Sequence, residues 1–168
     1  MMLDIAIDAD EEWDSSTAWA DLARAAATSA IAESAFPQLA SGDRTVELSI
    51  RLASDAEVHA LNSEWRGKDR ATNVLSFPMA ERADLDGSTQ AGPELMLGDI
   101  ILAHGVCVTE AAEKGLPLDQ HAAHLMVHGT LHLLGYDHMD DDSAADMEAR
   151  EVRALARMGI GDPYGRDR

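Results

Sequence analysis

Apolar and acidic residues alternate from Leu3 to Asp8, which puts Leu3, Ile5 and Ile7 on one face of a predicted strand. Ser15, Ser16 or Thr17 can cap a helix that follows, rich in alanine, carrying Trp19, Leu22 and Ile31, and running to about Ser34. Phe36-Pro37 ends it. Alternation returns from Thr45 to Leu52, with Val46, Leu48, Ile50 and Leu52 on one face of a second strand. Ser54, with Glu57 three residues on, is a capping signal for a short helix with Val58, Leu61 and Trp65 on its packed side.

The pattern then shortens. Asn73 to Phe77 reads as a strand stopped by Pro78, and Leu95 to Leu102 as another. Between them, Ala80 to Pro93 is polar and glycine-containing, the composition of a mobile loop. Helices are expected over about Val108 to Lys114 and Leu118 to Leu134, divided by Gly115 and Pro117. A last helix should start at Asp140 to Ser143 and run through Arg157, closed by Gly159, Gly161 and Pro163. No repeat and no second core-sized segment is visible. The expectation is one α+β domain over residues 1–168, with a mixed, mostly parallel four-stranded sheet.

Composition narrows the function. No apolar run approaches the roughly 20 residues of a spanning helix, and the acidic start lacks the order of a signal peptide, so a cytoplasmic protein is expected. The lone Cys107, in an apolar stretch, excludes an internal disulfide framework and reads as an inert buried thiol. The net charge of −18 argues against broad nucleic-acid binding if it is evenly spread.

The histidines change that picture. His128 and His132 are four residues apart, so on a helix their rings stack on one face about 6 Å apart along the axis. Gly135 can take the left-handed conformation that ends the helix, and His138 can then return as a third ligand from another direction. Three imidazoles with one position open to water describe a catalytic zinc site, although nickel or copper would also accept them. His124, one turn earlier, fits a core or supporting role better than ligation, and His121 fits an exposed or structural one. His59 and His104 have no ligand spacing. The His-x-x-x-His-x-x-Gly-x-x-His spacing is also that of metzincin peptidases, but the general-base glutamate is replaced by Gly129. Gly129 either is simply tolerated or keeps space clear beside the metal.

Three blocks carry a resemblance. HGTLHLLGYDH, from His128 to His138, is similar to the signature of the YbeY family of bacterial endoribonucleases and ribosomal RNA maturation factors. LNSEWRGKDRATNVLSFP, from Leu61 to Pro78, resembles a second block of that family, and LGDI, from Leu97 to Ile100, a third. The resemblance implies one zinc ion per chain, held by His128, His132 and His138. It implies cleavage of single-stranded RNA, maturation of the 3′ end of 16S rRNA, and ribosome quality control. It also places a functional arginine at Arg66. Arg66 and His128 are thus the candidate catalytic residues, and Arg66, Lys68 and Arg70 the candidate substrate-binding ones. Arg66 would clamp a phosphate, while Lys68 and Arg70 would position the strand. The general base stays open, and Asp137 is expected either to orient a ligand imidazole or to cap the turn. Ribosomal proteins or a ribosome-associated GTPase are the implied partners, with no membrane. A non-enzymatic assembly factor with structural zinc and, further off, a zinc peptidase are the alternatives.

The charge is not evenly spread. Residues 1–14 hold six acids and no base, whereas Arg66 to Arg70 is net +2. A small positive cleft on a repelling body is therefore expected, with recruitment through basic ribosomal proteins.

Overall fold

The computed structural model describes residues 2–40, 44–86 and 94–164. Four strands form one sheet: β1 (Met2–Ala9), β2 (Thr45–Ala53), β3 (Val74–Pro78) and β4 (Glu94–Ala103). Their spatial order is β1-β2-β4-β3. β1 and β4 both run parallel to β2, and β3 alone runs antiparallel, on β4. The α+β class and the mixed, mostly parallel sheet are as expected. Among the described residues six α-helices accompany it: α1 (Trp19–Ala32), α2 (Asp55–Arg66), α3 (Arg82–Leu85), α4 (His104–Lys114), α5 (Leu118–Leu133) and α6 (Asp141–Arg157). No described helix is long and apolar enough to cross a membrane.

One sheet face carries Leu48, Ile50, Ile100 and Leu102 into the main core, packed with α1, α5 and α6. The other turns Ala53, Leu75 and Ala103 against Val58 of α2. The phase of β4 depends on a bulge: Glu47 faces Met96 and Leu48 faces Gly98, so Leu97 is the extra residue. That insertion lets Leu95, Leu97, Ile100 and Leu102 all enter the main core, which strict alternation forbids. Gly98 has φ 142°, and a Cβ there would fall 2.9 Å from Leu133 Cδ2 and collide with the Phe77 carbonyl. Its lack of a side chain lets β3 and α5 close on β4.

Several boundaries differ from the sequence reading. Ser15, Ser16 and Thr17 do not cap α1, whose N-cap is Ala18 with no side-chain bond. Asp14 instead accepts from Ser16 N at 2.9 Å and Ser16 Oγ at 2.8 Å, and its carbonyl accepts from the Trp19 indole. The Ser16 hydroxyl belongs to that turn, and α1 ends at Ala32. α4 begins at His104, directly after β4, and not at Val108. Trp65 is 66% exposed, off the packed side of α2. Part of the expected 80–93 loop is helical: Glu81 and Asp84 form a reciprocal capping box on α3. Residues 87–93 lie outside the described residues. The caps on α2 and α6 follow the sequence, Ser54 accepting from Glu57 N and Asp140 from Ser143 N.

Candidate metal centre

The last turn of α5 and the bend after it build the site. α5 is buried along nearly its whole length, because it lies between the sheet and helices α1, α4 and α6. Beyond its first turn, only His128 and His132 of α5 are not fully buried. Gly135, at φ 95°, lets the helix stop there. Gly135 N donates to His132 O at 3.0 Å and Tyr136 N to Leu131 O at 3.0 Å, the paired bonds of a Schellman end. The bend is anchored from outside. The Tyr136 hydroxyl accepts from Ala35 N at 2.8 Å, and the Arg150 guanidinium lies 4.8 Å from the Tyr136 ring centre.

His138 thereby returns towards the helix. One nitrogen from each of His128, His132 and His138 lies within 4.8 Å of the others. His128 Nε2 and His132 Nε2 are 3.0 Å apart. Two imidazoles on one tetrahedral zinc, at about 2.0–2.1 Å each, would sit about 3.3 Å apart, so the donor set and spacing fit such an ion. Burial, with the neighbouring His128 and His138, pushes the His132 pKa down to about 4. His132 is therefore neutral near pH 7, the form that binds metal.

The residue holding His128 was missed by sequence reasoning. Glu151 of α6, only 1% exposed, accepts from His128 Nδ1 at 2.9 Å through Oε2. Its Oε1 accepts from His124 Nε2 and from the Tyr164 hydroxyl, each at 2.6 Å. Burial alone would raise the Glu151 pKa, but the hydrogen bonds from His124 and His128 outweigh it and hold the carboxyl well below the usual range. A sequence signal existed: Glu151 occupies a core position of α6 with Met147, Ala154 and Leu155, and a carboxylate on an apolar face needs a buried partner. Asp137 does not orient a ligand ring; its Oδ1 accepts from His138 N at 2.8 Å and closes the turn. His124, expected in the core or in support of a ligand, is buried on Glu151. His121 is 1% exposed, so it is structural and not exposed, with Nε2 on Glu110 Oε1 at 2.8 Å.

Gly129 packs on the sheet and is not among the residues that line the three-histidine cavity. A Cβ there would meet Ile100 of β4 at 2.9 Å, so the residue lets α5 lie close on the sheet. Neither tolerance nor substrate clearance explains it. A glutamate at 129 would drive into the core, which removes the geometric basis for a peptidase.

The three histidines line a cavity of about 520 Å³ that Arg66 also lines. Arg66 ends α2, and its Nη2 donates to Ser76 O on β3 at 3.1 Å, which aims the guanidinium across that edge strand. Lys68 and Arg70 are exposed in the following segment and are not among the lining residues. Among the described residues of the lining Arg66 is the one Lys or Arg, and Asp137 lines the cavity as well. The side chains alone thus make the cavity near neutral, and the expected positive character would have to come from an ion. Cys107 is buried, which pushes its thiol up to about 12, the inert state expected.

The fold and site together define a small α+β protein with a three-histidine cluster at the end of a core helix. Its chain matches, over residues 8–159, the family model described as "Endoribonuclease YbeY". It is 51% identical over 164 residues to the endoribonuclease YbeY of Rhizorhabdus wittichii, covering 97% of both chains. It is 49% identical over 164 residues to that of Sphingopyxis alaskensis, covering 97% of this chain and 98% of the other. The fold is also similar to the solution structure of TM1509 from Thermotoga maritima, with TM-score 0.55 and 23% identity over 94% of this chain and 92% of that one. The chain belongs to the YbeY family.

Proposed function

We propose that this protein is a zinc-dependent endoribonuclease that cuts single-stranded RNA, with the 3′ end of precursor 16S rRNA as its substrate, in the cytoplasm. The observation that carries this reading is the convergence of three imidazole nitrogens within 4.8 Å in a cavity shared with Arg66. Membership of a family whose relatives are named endoribonucleases supplies the reaction class.

His128, His132 and His138 would hold one zinc ion, which would polarise a phosphoryl oxygen and lower the pKa of a water at that point. The chain's own groups supply the rest. Arg66, fixed by Ser76 O, presents its remaining N–H groups to a phosphate and balances the charge that grows on it during cleavage. Lys68 and Arg70, outside the cavity, serve as positioning charges for the flanking strand. Asp137, the carboxylate among the described lining residues, accepts from His138 N within its own turn, and the general base is left unassigned. The acidic body disfavours tight, indiscriminate RNA binding, so recruitment through basic ribosomal proteins is part of the proposal.

Metal analysis combined with cleavage of a defined 16S precursor tests this reading. Wild type should hold zinc and cut; casein should remain intact beside it. A protein that binds zinc, folds, and neither cuts RNA nor supports 16S maturation would refute the enzymatic reading.

A further inference from the structure

An imidazole ligand has two nitrogens, and only the one without a proton can bind a metal. His132 and His138 have no carboxylate hydrogen bond among the described residues. His128 does, and the way that carboxylate is held goes beyond what burial of one glutamate requires. Glu151 Oε2 accepts, so the 2.9 Å contact puts a proton on His128 Nδ1, which in the neutral ring leaves the lone pair on Nε2. That Nε2 is the atom 3.0 Å from His132 Nε2. The other oxygen is fixed by two donors from different parts of the chain, His124 on α5 and Tyr164 beyond α6. Tyr164 is itself tied down, its N donating to Asp162 Oδ1 at 2.8 Å.

We propose that Glu151 is a positioning residue for the metal centre: it selects the Nδ1–H tautomer of His128, aims Nε2 into the cavity, and is itself locked by His124 and Tyr164. The proposal rests on the metal reading of the three histidines. Its consequence is that the segment after α6 contributes to metal affinity without touching the metal. A negative carboxylate behind the imidazole also makes the ring a stronger donor, and removal of such partners typically costs about 10–100-fold in metal affinity.

The test uses the full chain with Glu151→Met, Glu151→Gln and Tyr164→Phe. Met fills the volume without an acceptor, and Gln keeps one carbonyl oxygen for His128 Nδ1–H. Zinc affinity is measured by competition with a chelating dye. The His128 tautomer is read from ring nitrogen shifts in the metal-free protein, with circular dichroism reporting the fold. Glu151→Met should weaken zinc about 10–100-fold and lose the Nδ1–H signature. Glu151→Gln should keep that signature and recover most of the affinity. Tyr164→Phe should weaken zinc a few-fold, which is the smallest effect. If Glu151→Met does not fold, Glu151→Gln and Tyr164→Phe decide. Unchanged affinity in Tyr164→Phe, or His128 carrying its proton on Nε2 in wild type, overturns the proposal. A folded Glu151→Met with wild-type affinity does so too. If wild type binds no zinc while His128 shows the Nδ1–H form that Glu151→Met loses, the metal reading fails and the positioning geometry stands.

Discussion

Helix α5 carries four histidines with two fates. In its first half, His121 and His124 are buried and each gives its Nε2 to a carboxylate, Glu110 or Glu151. Both leave Nδ1 without a partner among the described residues. At its end, His128 and His132 turn Nε2 into a cavity, where His138 joins them. Residue type is identical along the helix. What differs is the surroundings: α4 and α6 bring carboxylates to the first half, and the Gly135 bend leaves the last turn open. A histidine inside a helix becomes a ligand candidate when no carboxylate of the protein already takes the nitrogen that faces the cavity.

The comparison breaks most directly at the open end. His132→Ala should abolish stoichiometric zinc and reduce RNA cleavage to background, measured by metal analysis and a single-stranded RNA assay. Zinc retained at one equivalent would mean that the cluster is not the site. Arg66→Ala separates metal from substrate. Zinc content should be unchanged while cleavage falls on the order of 100-fold, the usual effect of losing one preorganised donor. Loss of zinc or of fold in that variant would make Arg66 a structural residue.

Gly129→Ala tests the helix face turned away from the cavity. The added methyl meets Ile100, so thermal unfolding should reveal a loss of about 1–3 kcal/mol, with zinc still bound. Combining it with Ile100→Ala should give less than the sum of the two losses, because the same space is contested.

The smallest effect belongs to the buried end. His121→Leu should leave zinc binding intact and cost no more than about 1–2 kcal/mol. Burial lowers the His121 pKa below its ordinary 6.5, despite the Glu110 hydrogen bond. The unfolded chain therefore binds a proton that the folded one resists, and stability falls as pH drops below 6.5. His121→Leu should flatten that slope, and an unchanged slope would assign it to other groups.

These residues also show what a sequence can reveal. The three candidate ligands were legible because their relation is local: one helical turn, a glycine stop, and a three-residue return. The caps of α2 and α6 were legible for the same reason. Glu151 and Tyr164 were not, since α6 and the following segment reach His128 only through tertiary packing. Gly129 was misread because spacing gives its place in the motif but not the face it presents to Ile100. The bulge at Leu97 likewise depends on β4 meeting β2. The opposing charge distribution was visible in the sequence, yet of the Arg66 to Arg70 stretch only Arg66 lines the cavity.

The most direct test of the central claim is a zinc titration of chelator-stripped protein, followed by cleavage of single-stranded RNA. The account predicts no cleavage without metal and activity that rises linearly to a plateau at one zinc per chain. Full cleavage by the stripped protein would contradict it.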